Sequence, residues 1–222
     1  MALVGEMSQA LKTEHFIVSL VPPQSYLDVE SPHYDRNLNH AYPNFHPEFK
    51  YHGANVYALW VAKYGITKMS PLGSSAVEDV ATFDIIDVQL YEGFSRAGAA
   101  IMGGMDPATY IVNWARAIQK GWMVNFANDP TAGLNNTIVR VPASQLVVGF
   151  SHGAMRAPHE KSIFIPPAAV AKAWAVLAVE ERPKGVMFWN MDNDGSTCWF
   201  PDGHTVNVSF AASFNAFLRT RQ

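Results

Sequence analysis

The stretch that decides the fold reads Phe83-Asp84-Ile85-Ile86-Asp87-Val88-Gln89-Leu90-Tyr91-Glu92. It is an apolar run, rich in β-branched residues, that ends abruptly in polar groups able to hydrogen-bond. This pattern is typical of a buried parallel strand whose last residues point into a ligand site. A second run, Gly185-Val186-Met187-Phe188-Trp189-Asn190-Met191-Asp192, ends in the same way. The two runs predict a parallel sheet with a site at the carboxyl ends of its strands.

Outward from this stretch, strand-like and helix-like runs alternate along the chain, which predicts an α/β fold with parallel strands. Predicted strands cover residues 15–21, 83–91, 146–150 and 185–190, and a helix precedes the first of them. Right-handed crossovers make four such βα units a parallel sheet or an arc of a barrel. A complete (β/α)8 TIM barrel typically needs about 250 residues. The 222 residues therefore predict one domain, 1–222, that forms an incomplete barrel of this type.

Helix signals support this alternation. Residues 55–64 form a predicted helix that Gly65 ends, and Asp106-Pro107 provides an N-cap with proline at the first helical position of another. Residues 122–126 and 138–141 predict a short hairpin. Two further helices are predicted from apolar residues at helical spacing, which are Val170, Trp174 and Leu177 in one and Val206, Phe210, Phe214 and Phe217 in the other.

The composition excludes several classes of protein. The chain is 49% apolar and 16% charged, which is enough for one sizeable core, and its net charge of −3 without a basic run argues against a nucleic-acid partner. No apolar run reaches the roughly 18 residues that span a bilayer, so we expect no membrane partner. The single Cys198 cannot form an intrachain disulfide. The first residues lack the features of a signal peptide, which leaves open both the localisation and the secretion of a longer parent protein.

The predicted strand ends carry the candidate site. They supply Gln24, Gln89, Tyr91 and the segment Trp189-Asn190-Met191-Asp192. Amide and phenol groups fix a neutral polar ligand by directed hydrogen bonds, and a tryptophan offers a flat apolar floor for the C–H face of a sugar ring. These groups converge without a basic cluster, which favours a carbohydrate over a phosphate ligand. No cofactor is predicted.

The strand ends also resemble those of glycoside hydrolase family 18, the chitinase family. The resemblance runs in order from residue 1 to about residue 218 and covers the fifth to eighth βα units of that barrel. The matching segments, in that order, are Val21-Pro22-Pro23-Gln24, Val88-Gln89-Leu90-Tyr91, Val147-Val148-Gly149-Phe150 and Gly185-Val186-Met187-Phe188-Trp189.

This resemblance implies a substrate and a role for each site residue. The family hydrolyses β-1,4-linked N-acetylglucosamine polymers by a substrate-assisted mechanism, in which the C2 acetamido oxygen attacks the anomeric carbon and a glutamic acid protonates the leaving oxygen. By carry-over, Tyr91 supports catalysis by hydrogen-bonding the acetamido group, and Gln89 contacts the same sugar. Trp189 stacks beneath that sugar, and Gln24 lines the cleft. The implied partner is chitin or an N-acetylglucosamine oligosaccharide.

The family's acid belongs to a fourth-strand motif, Asp-x-x-Asp-x-Asp-x-Glu, that this sequence does not contain. We therefore expect no turnover by the chain alone, and whether it is an enzyme stays open. In an alternative registration, Asp84, Asp87, Gln89 and Tyr91 occupy the spacing of that motif as a degenerate fourth strand of an inactive homologue. Glu92 is a poor substitute acid because the next residue along a strand points to the opposite face. The alternative functions are a non-catalytic chitin-oligosaccharide lectin or inhibitor-type homologue, and a TIM-like enzyme of other specificity.

Three further features of the sequence bear on metal binding and on self-association. Four histidines, His33, His40, His46 and His52, share a polar segment with acidic residues, but their spacing matches no tight metal motif and predicts a solvated loop. Asp192-Asn193-Asp194-Gly195 resembles the start of a calcium loop but lacks the downstream glutamate, which favours a turn. An incomplete barrel leaves two unpaired strand edges, and such edges predict self-association.

Overall fold

The computed structural model describes residues 1–36, 54–91, 95–152, 164–199 and 205–219. The helices in these ranges are α1 (Ala2–Thr13), α2 (Val56–Tyr64), α3 (Arg96–Met102), α4 (Pro107–Lys120), α5 (Pro167–Val176) and α6 (Phe210–Arg219). The strands are β1 (Ser19–Leu20), β2 (Ile66–Met69), β3 (Glu78–Ala81), β4 (Ile85–Gln89), β5 (Trp122–Val124), β6 (Thr137–Val139), β7 (Leu146–Ser151), β8 (Gly185–Trp189), β9 (Thr197–Trp199) and β10 (Thr205–Asn207).

The centre of the fold is a parallel sheet of four strands in the order β1-β4-β7-β8. The strands follow one another in space as they do in the chain, with Val88 opposite Val148 and Gly149 opposite Met187. Right-handed crossovers in this order place the connecting helices on one face of the sheet, as in an arc of a barrel. The predicted parallel α/β sheet is confirmed, and within the described residues it is open, with β1 and β8 at its edges.

The core lies between this sheet and its helices. On β4, Ile86 and Val88 are fully buried, and they alternate with residues that face the other way. They join one apolar cluster with Ile111 and Trp114 of α4 and with Trp174 of α5. Alternate residues of one strand thus separate a helix-covered face, which is apolar, from an uncovered face that carries the polar side chains.

Several helix and hairpin predictions are confirmed. Helix α4 starts after Asp106, whose side chain accepts a hydrogen bond from the backbone N–H of Thr109 at 3.1 Å, and it ends at Gly121. Gly121 has φ +94°, a conformation that favours glycine. Strands β5 and β6 form the predicted antiparallel hairpin.

The prediction for the last helix is wrong at its start. Val206 lies in β10, opposite Cys198 of β9 in a hairpin, and α6 begins only at Phe210. The side chain of Asp194 fixes this start, since it accepts hydrogen bonds from the backbone N–H of Phe210 at 2.6 Å and from the hydroxyl of Ser209 at 2.9 Å. An N-terminal cap of this kind decides where a helix begins more strongly than apolar spacing does.

The first predicted strand, 15–21, is shortened to Ser19–Leu20. The chain leaves α1 through a turn in which the backbone N–H of His15 bonds the carbonyl of Lys12 at 2.9 Å and that of Phe16 bonds Leu11 at 3.1 Å. His15 takes a left-handed conformation, with φ 61°. These bonds occupy the N–H groups of residues 15 and 16, which are therefore not free to pair in a strand.

Helix α1 packs through small residues. Gly5 and Ser8 are its buried residues. A methyl group at Gly5 would come within 2.3 Å of the Tyr64 ring on α2, so the two helices approach closely there. Leu3 and Met7, in contrast, are 76% and 52% exposed. The apolar stripe of α1 therefore faces away from the rest of the described chain.

Candidate functional site

The carboxyl ends of β4 and β8 form one wall each of a cleft of about 610 Å³. Three of the four residues that the sequence singled out, Gln89, Tyr91 and Trp189, line it together. The complete lining consists of Val21, Asp87, Gln89, Tyr91, Met187, Phe188, Trp189, Asn190, Met191 and Asp192. The cleft lies on the sheet face that the helices leave uncovered.

Strand β4 places its polar residues by simple alternation. Asp87, Gln89 and Tyr91 are two residues apart, so their side chains share one face. The neighbouring chain segment holds this strand end in register, because the backbone N–H of Gln89 donates to the carbonyl of Pro22 at 2.9 Å. The side-chain amide of Gln89 donates to the carbonyl of Val21 at 3.2 Å. Gln89 is thereby oriented across the cleft, while Tyr91 is buried in its wall.

Strand β8 presents Trp189 to solvent. The side chain is 49% exposed, which is unusual for a tryptophan at the end of a central-sheet strand. Its backbone is fixed, since the carbonyl of Trp189 accepts a hydrogen bond from the N–H of His152 at 2.7 Å. The peptide bond from Trp189 to Asn190 is cis. A half-exposed indole on a fixed backbone is available as a flat apolar floor for a ligand.

The structure places Gln24 away from this cleft. The side chain is fully buried in the helix-covered layer. Its amide donates to the Tyr110 hydroxyl at 2.7 Å, and its oxygen accepts from the Ser95 hydroxyl at 2.6 Å and from the Arg96 N–H at 3.1 Å. The short helical turn Gln24–Leu27 directs the side chain to the start of α3 and to α4. In this position the side chain is outside the cleft lining.

Asp87 also lines the cleft, although the sequence analysis named it only in the alternative registration and gave it no ligand contact. Only 6% of it is exposed, and its Oδ1 atom is buried without a hydrogen-bond partner in the part of the chain that the structure describes. Burial raises the pKa of Asp87 from 3.8 to about 6. Gly149 on β7 leaves room beside it, since a methyl group there would lie 3.1 Å from this oxygen. Its position two residues before Gln89 was the available signal, because alternation puts both on the ligand-facing side.

The metal-site and calcium-loop alternatives find no support in the residues that the structure describes. Among them, no group of three or more His, Cys, Asp or Glu side chains is placed to hold a metal ion. Asp28, in the polar segment, is buried and pairs with Arg96 at 2.8 Å. Asp194 and Gly195 lie in a turn, as predicted, and the side chain of Asp194 also caps α6. Of the four histidines in the polar segment, His33 is described, whereas His40, His46 and His52 lie outside the described residues. Glu92 also lies outside them.

Cys198 is fully buried beside His152, with its Sγ 3.5 Å from Nε2. Phe210 packs against the same imidazole ring, with the ring centroids 5.5 Å apart. Cys198 and His152 are thus enclosed in the core, where they contribute to its packing. Across the described ranges, no helix is both long enough and apolar enough to cross a membrane.

Comparison with known proteins adds a structural likeness. No protein-family model matches the chain, and no curated protein matches its sequence. The solved structure of a family GH18 chitinase from Chromobacterium violaceum matches 95% of this chain with a TM-score of 0.52 and 18% sequence identity. The match covers 47% of that chitinase, so this chain spans about half its length. The likeness shows that the sheet and helices are arranged as in part of a TIM-barrel chitinase.

Proposed function

We propose that this chain is a chitinase-like domain whose cleft binds β-1,4-linked N-acetylglucosamine oligosaccharides. The observation that carries the proposal is the meeting of Gln89, Tyr91 and Trp189 in one cleft. These are an amide, a phenol and a half-exposed indole, and the described lining contains no basic side chain. Such a set binds a neutral ring by stacking and directed hydrogen bonds. The fold likeness to a chitinase supports the same ligand class.

Each residue has a defined task in the bound state. Trp189 stacks beneath the C–H face of one sugar. Tyr91 hydrogen-bonds its acetamido group, and Gln89, which is held by the carbonyl of Val21, contacts the same sugar. The task of Tyr91 in a catalysing protein would be supporting, since it positions the acetamido oxygen that attacks the anomeric carbon.

We expect binding without hydrolysis by this chain. The acidic side chains of the described cleft lining are Asp87 and Asp192, and it contains no glutamate. A positioned general acid typically contributes 10²–10⁴-fold to the rate. The second candidate function is therefore that of a non-catalytic lectin or inhibitor-type homologue that binds chitin oligosaccharides. Turnover of a fluorogenic N-acetylglucosamine oligomer above the uncatalysed rate would exclude that candidate and the expected inactivity.

Trp189→Ala tests the binding proposal. Calorimetric titration with the N-acetylglucosamine tetramer should show an affinity loss of about tenfold or more, as for a buried aromatic contact. Trp189→Phe should retain part of the affinity, because a smaller ring still stacks. Ile138→Ala is the matched control, since Ile138 is 64% exposed on β6 and lies outside the cleft lining. Absence of tetramer binding by the unaltered chain, or equal affinities for all variants, would refute the proposal.

A further inference from the structure

The turn that follows β8 holds an oriented amide at the edge of the cleft. Asn190 and Met191 come directly after Trp189, and both line the cleft. The Oδ1 atom of Asn190 accepts a hydrogen bond from Nδ2 of Asn193 at 2.8 Å, and its backbone carbonyl accepts one from the N–H of Asn193 at 3.3 Å. Because the side-chain oxygen is already occupied, the NH2 group is the part of this amide that remains for a ligand. Asn190 thus offers the cleft a hydrogen-bond donor.

This NH2 group is open to a ligand. Within the described ranges, Nδ2 of Asn190 donates to no other residue. The buried side-chain polar atoms without a partner in these ranges belong to other residues, namely Ser25, Tyr34, Asp87 and Trp114. Nδ2 of Asn190 is therefore an unpaired donor that is accessible at the surface of the cleft. An accessible donor costs the free protein little, since water can occupy it until a ligand acceptor replaces the water.

Met191 adds an apolar contact next to this donor. Its side chain is 83% exposed, although it is large and apolar. An acetamido group consists of a carbonyl oxygen, which needs a donor, and a methyl group, which needs an apolar surface. The amide of Asn190 and the thioether chain of Met191 provide one of each on adjacent residues. A C2 hydroxyl group, as in a glucose polymer, has no methyl group for Met191 to contact.

We propose that Asn190 and Met191 bind a second acetamido group, so that the cleft recognises two consecutive N-acetylglucosamine units, one from each wall. The inference rests on the proposed function and deepens it. Successive sugars of a β-1,4-linked chain are rotated by about half a turn, so their acetamido groups point alternately to opposite sides. When Tyr91 on the β4 wall binds the acetamido group of the sugar above Trp189, that of the next sugar points to the β8 wall. Asn190 lies at that wall.

The test is calorimetric titration with the N-acetylglucosamine tetramer and with the glucose tetramer of the same linkage. The unaltered chain should bind the glucose tetramer about tenfold more weakly or worse, because it lacks both acetamido contacts. Asn190→Ala should weaken the acetylated tetramer by about threefold to tenfold, the range expected for one lost hydrogen bond. It should leave any binding of the glucose tetramer within about twofold. Asn113→Ala is the matched control, since Asn113 is exposed on α4 and lies outside the cleft lining.

A double variant shows that the two walls bind different acetamido groups. Tyr91→Phe removes the hydroxyl group that the proposed function assigns to the first of them. If Asn190 binds a second group, the affinity losses of Tyr91→Phe and Asn190→Ala should multiply in the double variant. If both side chains bind one group, the double variant should be little weaker than Tyr91→Phe alone.

Two further variants test the orientation of the amide and keep the inference testable where Asn190→Ala fails to fold. Asn190→Asp still accepts from Asn193 but presents an oxygen to the cleft. It should weaken the acetylated tetramer at least as much as Asn190→Ala without weakening the glucose tetramer, whose hydroxyl groups can donate to that oxygen. Asn193→Asp should cause the same selective loss, because its carboxylate accepts from Nδ2 of Asn190 and turns Oδ1 to the cleft.

Three results would overturn the inference. They are an unchanged affinity of Asn190→Ala for the acetylated tetramer, an equal loss for both tetramers, and a double variant no weaker than Tyr91→Phe. Failure of the proposed function looks different, since the unaltered chain would then not bind the acetylated tetramer at all. Tetramer binding that depends on Trp189 but is indifferent to Asn190 would leave the proposed function standing and exclude only the second acetamido contact.

Discussion

Replacing Asp87 by asparagine should stabilise the folded chain at neutral pH. Burial raises the pKa of this carboxyl from 3.8 to about 6, so neutral pH forces a charge into a place that disfavours it. The difference of about 2.2 pH units, at about 1.4 kcal/mol for each, amounts to about 3 kcal/mol. Asparagine keeps the shape of the side chain and removes the charge. The free energy of unfolding should therefore rise by up to about 3 kcal/mol at about pH 7.

The gain should shrink in acid. The folded chain holds the Asp87 proton up to about pH 6, whereas the unfolded chain releases it near 3.8. Because the folded state binds more protons between these values, its stability falls as pH rises through this range and recovers as pH is lowered. At about pH 4.5 the advantage of Asp87→Asn should be about 1 kcal/mol. Urea unfolding of both proteins at the two pH values, followed by tryptophan fluorescence, measures it.

Asp84→Asn is the matched control, since Asp84 directly precedes β4. Burial acts to raise the pKa of Asp84, but the hydrogen bonds from Lys12 and from the N–H of Val18 outweigh it and hold that pKa below its usual range. Its removal should therefore destabilise the chain at neutral pH and matter less in acid, the reverse of the result for Asp87. If Asp87→Asn is no more stable than the unaltered chain at about pH 7, or if its gain does not shrink in acid, Asp87 is not a desolvated carboxylate.

Two further predictions concern α1. Gly5→Ala should destabilise the monomer by about 1–3 kcal/mol in thermal unfolding, because the methyl group meets the Tyr64 ring at 2.3 Å. Leu3→Ala should lower the free energy of unfolding by less than about 0.5 kcal/mol, since Leu3 is exposed. A larger loss for Leu3→Ala than for Gly5→Ala would contradict the packing of α1 against α2. The exposed apolar stripe and open sheet edges should also drive self-association of the chain. Met7→Glu should lower the average mass that the chain reaches at high concentration in sedimentation velocity. An unchanged mass would exclude α1 from the contact between copies of the chain.

The sequence predicted the elements whose signals are local and agree with one another. The parallel strands around Val88 and Val148 follow from apolar, β-branched runs of strand length. Helix α4 follows from a cap, a proline and a terminal glycine that all indicate the same boundaries. The meeting of Gln89, Tyr91 and Trp189 follows from topology alone, since parallel strands end at one edge of their sheet.

The sequence could not show contacts that depend on distant partners. Gln24 follows a strand as the site residues do, but Ser95 and Tyr110 supply its hydrogen bonds from far along the chain and hold it in the core. The start of α6 depends on Asp194, which is 16 residues from Phe210. The hairpin of β2 and β3 has strands of four residues each and left no distinctive pattern. Each of these requires knowledge of which segments meet.

One physical cause connects the cleft with the unusual state of Asp87. A parallel sheet covered by helices on both faces needs strands that are apolar throughout. In β4 and its continuation, Ile86 and Val88 alternate with Asp87, Gln89 and Tyr91, which is the pattern of a sheet with helices on one face. The uncovered face can hold polar groups for a ligand, and it also leaves Oδ1 of Asp87 without a donor among the described residues.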